Sequence, residues 1–207
     1  MRIVLVEDHL AYRESFRLAV STLSPFTIVG EATRARDAYA VIESTNPDLV
    51  VTDFMLPDTD GVSLARELRR RRVKVRMMIL GRLGHPLFVR DALRAGIAGF
   101  ALKREPLQDL IGAMQKVAAG ETYLSPQIQE RIAHDGSDES TLEKLSSRER
   151  EIFCLLLEGL STKEIAKLLY LSPKTVDAHR LHINRKLGVR SPAELARLVA
   201  DQGLITA

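Results

Sequence analysis

Up to about residue 120, short runs of β-branched and other apolar residues alternate with longer segments in which apolar side chains recur every three or four positions. The short runs are RIVLVE (2–7), TIVGEA (27–32), LVVTD (49–53), VRMMIL (75–80) and GFALK (99–103). Each is nearly continuous in apolar residues, as expected when both faces of a parallel sheet are covered. Amphipathic helices fill the intervals. The last is the clearest, with Leu107, Leu110, Ile111, Met114 and Val117 on one face. Five such units predict a small doubly wound α/β domain built on a five-stranded parallel sheet.

The pattern then changes. SPQIQERIAHDGSDES (125–140) carries no strand signal and ends in a small polar, acidic cluster, so it reads as a partly helical linker with a flexible end. From Leu142 onward only helices are announced. SSRE (146–149), STKE (161–164) and SPAE (191–194) each place a capping serine three residues before a glutamate, and Ser172 followed by Pro173 supplies a fourth start. The expected organisation is an α/β domain over 1–122, a linker over 123–142 and a small all-α domain over 143–207.

Composition narrows the class. The 207 residues are 45% hydrophobic with a net charge of +3, enough for two ordinary cores and no extreme of charge. The single cysteine, Cys154, lies in the apolar run IFCLLL and reads as a buried small hydrophobe in a reduced cytoplasm. No stretch approaches the roughly 18 apolar residues of a membrane span, and MRIVLVEDH is too short and too early in acids for a signal peptide. A cytoplasmic protein without membrane contact is expected. The helical region carries a modest positive excess, which permits nucleic-acid binding. The run RRRR (69–72) reads as the solvated, dipole-matched end of the third helix.

Chemistry collects where the carboxyl ends of the strands of a doubly wound sheet meet. Strand 1 ends in Glu7 and Asp8, strand 3 in Asp53 and strand 5 in Lys103. Any one of these alone reads as a helix cap or a solvated end, but the joint placement is hard to obtain by accident. Uncompensated, the acids repel one another, and Mg²⁺ held by carboxylates beside a phosphoryl group suits such a set. Asp53 then becomes a candidate nucleophile toward a phosphoryl donor, with Lys103 neutralising developing charge. Pro57 and Gly61 shape the loop that follows.

LVED at strand 1, Asp53 with Pro57 and Gly61 at strand 3, and GFALK at strand 5 together resemble the flavodoxin-like receiver domain of two-component response regulators, over roughly residues 1–122. The resemblance implies phosphorylation of Asp53 by a histidine kinase. It also implies Mg²⁺ bound by Asp8, Asp53 and the backbone carbonyl of Met55, with Glu7 helping through water, and Lys103 paired with the phosphoryl oxygen. One position departs from the family. The switch serine or threonine at the end of strand 4 is replaced by Gly81, whereas the aromatic switch partner is kept as Phe100.

In the second domain, TKEIAKLLYLSPKTVDAHRLHINRKLG (162–188) reads as a short helix, a tight turn and a longer helix. Val176, Ile183 and Leu187 form a core stripe, and Lys174, Ala178, Leu181 and Arg185 lie opposite, flanked by Asp177 and His182. Such a face suits a major groove. LSSREREI, GLSTKEIAKLL and SPKTVDAHRLHINRKLGV resemble the LuxR-type helix-turn-helix of the NarL/FixJ response regulators. That resemblance implies base contacts from Asp177, Ala178 and Leu181, and phosphate contacts from Lys174, Thr175, Arg180, Arg185 and Lys186. His179 and His182 have no ligand cluster of zinc spacing around them. A last helix bearing Leu195, Leu198 and Val199 completes the core or forms a two-fold contact between copies.

The expectation is therefore a non-enzymatic transcriptional regulator. Its expected partners are promoter DNA, a histidine kinase and a second copy of itself when active, with RNA polymerase a further candidate. Two readings compete. One is a regulator of the same architecture whose DNA binding ignores phosphate, because Gly81 has no hydroxyl. The other, an aspartyl-phosphate hydrolase, wants a second acid two residues after Asp53, where Met55 stands.

Overall fold

A computed structural model describes residues 1–82, 84–133, 144–157, 159–189 and 194. It divides the chain into two compact units, with residues up to Gln129 carrying the sheet. In the first unit, strands β1 (Arg2–Val6), β2 (Thr27–Ala32), β3 (Leu49–Asp53), β4 (Arg76–Gly81) and β5 (Gly99–Leu102) alternate with helices α1 (Leu10–Leu23), α2 (Ala35–Thr45), α3 (Gly61–Arg70), α4 (Pro86–Arg94) and α5 (Leu107–Ala119). The sheet runs β2-β1-β3-β4-β5-β6 and every pairing is parallel. The sixth strand, β6 (Tyr123–Leu124), corrects the expected count of five. It lies in residues read from the sequence as linker, and α6 (Pro126–Ala133) follows it.

The strand sequences explain their burial. Residues of alternating parity point to opposite faces. Ile3, Leu5, Leu49, Val51, Met78 and Leu80 meet Phe16 and Val20 of α1 and Leu110, Met114 and Val117 of α5 in one core. On the other face Val4 lies against α2, and Thr52 and Ile79 against the start of α3. All five residues of β3 are buried, so the strand delivers Asp53 to the edge from a fully buried bed.

The second unit holds α7 (Ser147–Leu157), α8 (Thr162–Leu168) and α9 (Pro173–Leu187). Its helices start as their sequences announce. Glu149 accepts from the Ser146 N–H, Ser161 and Glu164 form a reciprocal capping box, and Ser172 caps α9 with Pro173 just inside. Ile152, Phe153, Leu155, Ile165, Val176 and Ile183 make the buried contact among the three helices. Ser191, the last helix with Leu195, Leu198 and Val199, the end of the linker and the side chain of Cys154 lie outside the described residues.

Candidate functional site

Three strand ends bring the expected cluster together. Lys103, one residue past β5, donates from Nζ to Glu7 Oε2 at 2.6 Å and to Asp53 Oδ2 at 2.5 Å. Glu7 is 1% exposed and Asp53 6%. Carboxylate oxygens of Glu7, Asp8 and Asp53 all lie within 4.8 Å of one another. Burial pushes the Asp53 carboxyl up to about 6; Lys103 pulls against that and Glu7 adds to it. One ammonium thus serves two buried acids with a third, exposed acid alongside, so acids outnumber bases at this edge. A hard divalent ion with oxygen ligands fits this donor set.

The loop after β3 is held by its own sequence. Met55 donates its N–H to Asp53 Oδ1 at 3.3 Å, and Met55 and Asp60 form an isolated antiparallel bridge. Asp60 caps α3 through Ser63. Gly61 must be glycine here, because a Cβ would lie 2.7 Å from the backbone oxygen of Asp53. Asp58 reaches across to α2, accepting from the N–H groups of Ala35 (2.9 Å) and Arg36 (3.0 Å).

Gly81 is buried at the end of β4, and its carbonyl accepts from the N–H of Lys103 at 2.8 Å. No side chain extends from it toward Asp53. Phe100 is buried, with its ring centroid 5.9 Å from Phe54, and Phe54 meets Phe88 edge to face at 5.4 Å. Two neighbours of the site had no signal in the sequence. Tyr12 of α1 faces Lys103. Ser125, fully buried between β6 and α6, accepts the N–H of Leu102 on Oγ.

On α9, Lys174, Thr175, Asp177, Ala178, Leu181, Arg185 and Lys186 are exposed, and Arg180 is half-buried. Leu181 is 59% exposed and is not part of the core. Val176 and Ile183 of the same helix are buried. Asp177 is held at 3.1 Å by the Thr162 hydroxyl, which itself accepts from Arg180 at 2.7 Å. Lys186 pairs with Glu149 at 2.5 Å. Lys174 and Arg185 have no ion-pair partner among the described residues. Burial, then the charge of Arg148, holds His179 below the usual imidazole range, so it is a neutral side chain near neutral pH.

Residues 3–115 match the family profile of the response regulator receiver domain, and residues 143–199 that of the bacterial regulatory proteins of the luxR family. Transcriptional regulatory protein UhpA of Escherichia coli is 34% identical over 199 residues, spanning 96% of this chain and 97% of UhpA. A LuxR-family two-component response regulator from Aurantimonas sp. is 32% identical, with a TM-score of 0.61 over 64% of this chain and 94% of its own. For the fold alone, RcsB of Salmonella typhimurium matches at 22% identity, a TM-score of 0.62, and coverage of 97% and 98%. RcsB bound to DNA matches with a TM-score of 0.60.

Proposed function

Because the chain belongs to the two-component response regulators that join a receiver domain to a LuxR-type DNA-binding domain and regulate transcription, we propose that Asp53 is its phosphoryl acceptor. The observation that carries this is the Lys103 ammonium bonded to both Glu7 and Asp53 at the sheet edge. A carboxylate oxygen of Asp53 attacks the phosphorus of a phosphohistidine on a partner kinase. The P–O bond forms as the P–N bond breaks, and the electron pair leaves with the imidazole, which takes up a proton. Lys103 meets the charge on the transferred oxygens. Asp8, Asp53 and the Met55 carbonyl would hold Mg²⁺, with Glu7 acting through water. When bound, the ion supplies charge neutralisation to phosphoryl oxygens.

The exposed face of α9 enters the major groove. Asp177, Ala178 and Leu181 face base edges, with Asp177 suited to a cytosine amino group and the two apolar side chains to a thymine methyl. Lys174, Thr175, Arg180, Arg185 and Lys186 meet phosphates. The DNA-bound form of RcsB and the RcsB dimers on DNA support a DNA-binding dimer here. RNA polymerase is a downstream partner of the same reading. The protein acts as a regulator rather than as a phosphatase, since Met55 gives no second acid.

Gly81 favours a second reading, in which DNA binding ignores phosphate because no hydroxyl follows the phosphoryl group. Labelling with radioactive acetyl phosphate in wild type and Asp53→Ala tests the acceptor; equal labelling of the variant removes Asp53. Promoter affinity with and without beryllofluoride and Mg²⁺ at fixed salt separates the two readings.

A further inference from the structure

The ammonium of Lys103 has a third neighbour besides Glu7 and Asp53. Its Nζ lies 4.7 Å from the ring centroid of Tyr12. The lysine side chain is only 9% exposed, so water competes weakly for that side of the charge. Tyr12 sits in the first turn of α1, where its N–H is taken by the capping His9 imidazole, and its ring stacks on Phe16 at 6.0 Å. Among the described residues the buried phenol oxygen has no hydrogen-bond partner. Burial first, then the charges of Glu7 and Asp53, push its pKa upward, so the group stays neutral. A buried polar atom with no partner is costly, and here it accompanies a ring face turned to a cation.

We propose that Tyr12 is a positioning residue for phosphoryl transfer to Asp53, holding the Lys103 ammonium on its ring face. The proposal rests on the reading of Asp53 as the acceptor. Before transfer, Lys103 is bonded to the very carboxylate that must attack. When Asp53 turns an oxygen to phosphorus, that bond is lost, and Glu7 is left, among the described residues, as the one hydrogen-bond partner of an ammonium at the end of a four-carbon stem. Attraction to the ring does not depend on which oxygen the ammonium grips. It therefore keeps the charge in place while the new P–O bond forms and the donor's P–O bond breaks, with acetate leaving when acetyl phosphate is the donor.

The test uses the full chain with Mg²⁺ and acetyl phosphate, in wild type, Tyr12→Phe, Tyr12→Leu and Tyr12→Met, with thermal unfolding recorded for each. The Lys103 ε-methylene protons, which a ring face shifts upfield, are followed in parallel by NMR on ¹³C-lysine samples. Tyr12→Phe is expected to label Asp53 at close to the wild-type rate and keep the shift. Tyr12→Leu and Tyr12→Met are expected to label about tenfold more slowly, as loss of a desolvated cation–π contact implies, and to lose the shift. Either folded variant labelling at the wild-type rate overturns the proposal, as does a Phe variant as slow as Leu. A wild-type chain that takes no label overturns the Asp53 reading and the proposal with it. The methylene shift then distinguishes that failure from absence of the ring contact.

Discussion

At Gly61 a single methyl group decides whether the loop can close on the strand. A Cβ there would meet a backbone atom, the Asp53 oxygen, at 2.7 Å, and a backbone atom inside a fully buried strand has nowhere to go. Gly61→Ala is expected to destabilise the first unit by about 2 kcal/mol in urea titrations and to slow labelling of Asp53. A wild-type midpoint in the variant would contradict the close approach. Asp53 itself carries a pH dependence. Its folded pKa is raised from 3.8 to about 6, so protonation favours the folded state. Its contribution to stability is fully present below about pH 4 and is lost as pH rises through about 6. Mg²⁺ competes with that proton, so its stabilisation of the melting temperature is expected to be large at pH 7.5 and small at pH 5. Asp53→Asn should abolish the difference. Glu7, Asp8, Asp53 and Lys103 were legible because a strand end is a fixed address in this topology. Tyr12 was not, since an aromatic at an amphipathic helix position gives no hint of which distant charge it faces.

Elements explain how the site is braced. Arg34 at the N-cap of α2 makes no side-chain bond, and the first two N–H groups of that helix go instead to Asp58 of the β3–α3 loop. Burial opposes ionisation of Asp58, but those two N–H groups outweigh it and its pKa falls below the usual carboxylate range. Asp58→Ala is expected to cost about 1 kcal/mol and to weaken Mg²⁺ binding, read by calorimetry, because the loop loses its anchor. Unaltered Mg²⁺ affinity would show that the loop holds its shape alone. The five longer strands were readable as apolar runs, whereas β6, two residues long, has too few positions for any period to register. Its partner α6 packs Ile128 over Gly84, where a Cβ would meet the isoleucine Cγ1 at 2.4 Å and Leu102 Cδ2 at 3.1 Å. Gly84→Val is therefore expected to lift α6 from the sheet. In hydrogen exchange the Ile128 and Gln129 amides, both bonded to the Ser125 carbonyl, would lose protection.

For the whole molecule the decisive quantity is how charge is distributed over a DNA-binding chain whose net charge is only +3. Affinity for DNA then depends on a few phosphate contacts, and each phosphate neutralised steepens the fall of log K with log salt by about 0.9. The lysines of α9 are not equivalent in this respect. Lys174 has no ion-pair partner among the described residues, while Lys186 is held at 2.5 Å by Glu149, a buried carboxylate that also caps α7. To meet a phosphate Lys186 must first give up that carboxylate, so its net contribution to the salt dependence is smaller than that of Lys174. Lys174→Ala is expected to reduce the salt slope by about one unit between 50 and 200 mM salt, and Lys186→Ala by much less, in fluorescence anisotropy with promoter DNA. Because the Glu149 pair also fastens α9 to α7, Lys186→Ala should instead lower the unfolding midpoint of the helical unit, by an amount that shrinks as pH falls through the depressed Glu149 pKa. Equal slopes for the two variants would mean that Lys186 leaves Glu149 for the DNA. The carboxylate would then have to be satisfied by the Ser146 cap alone.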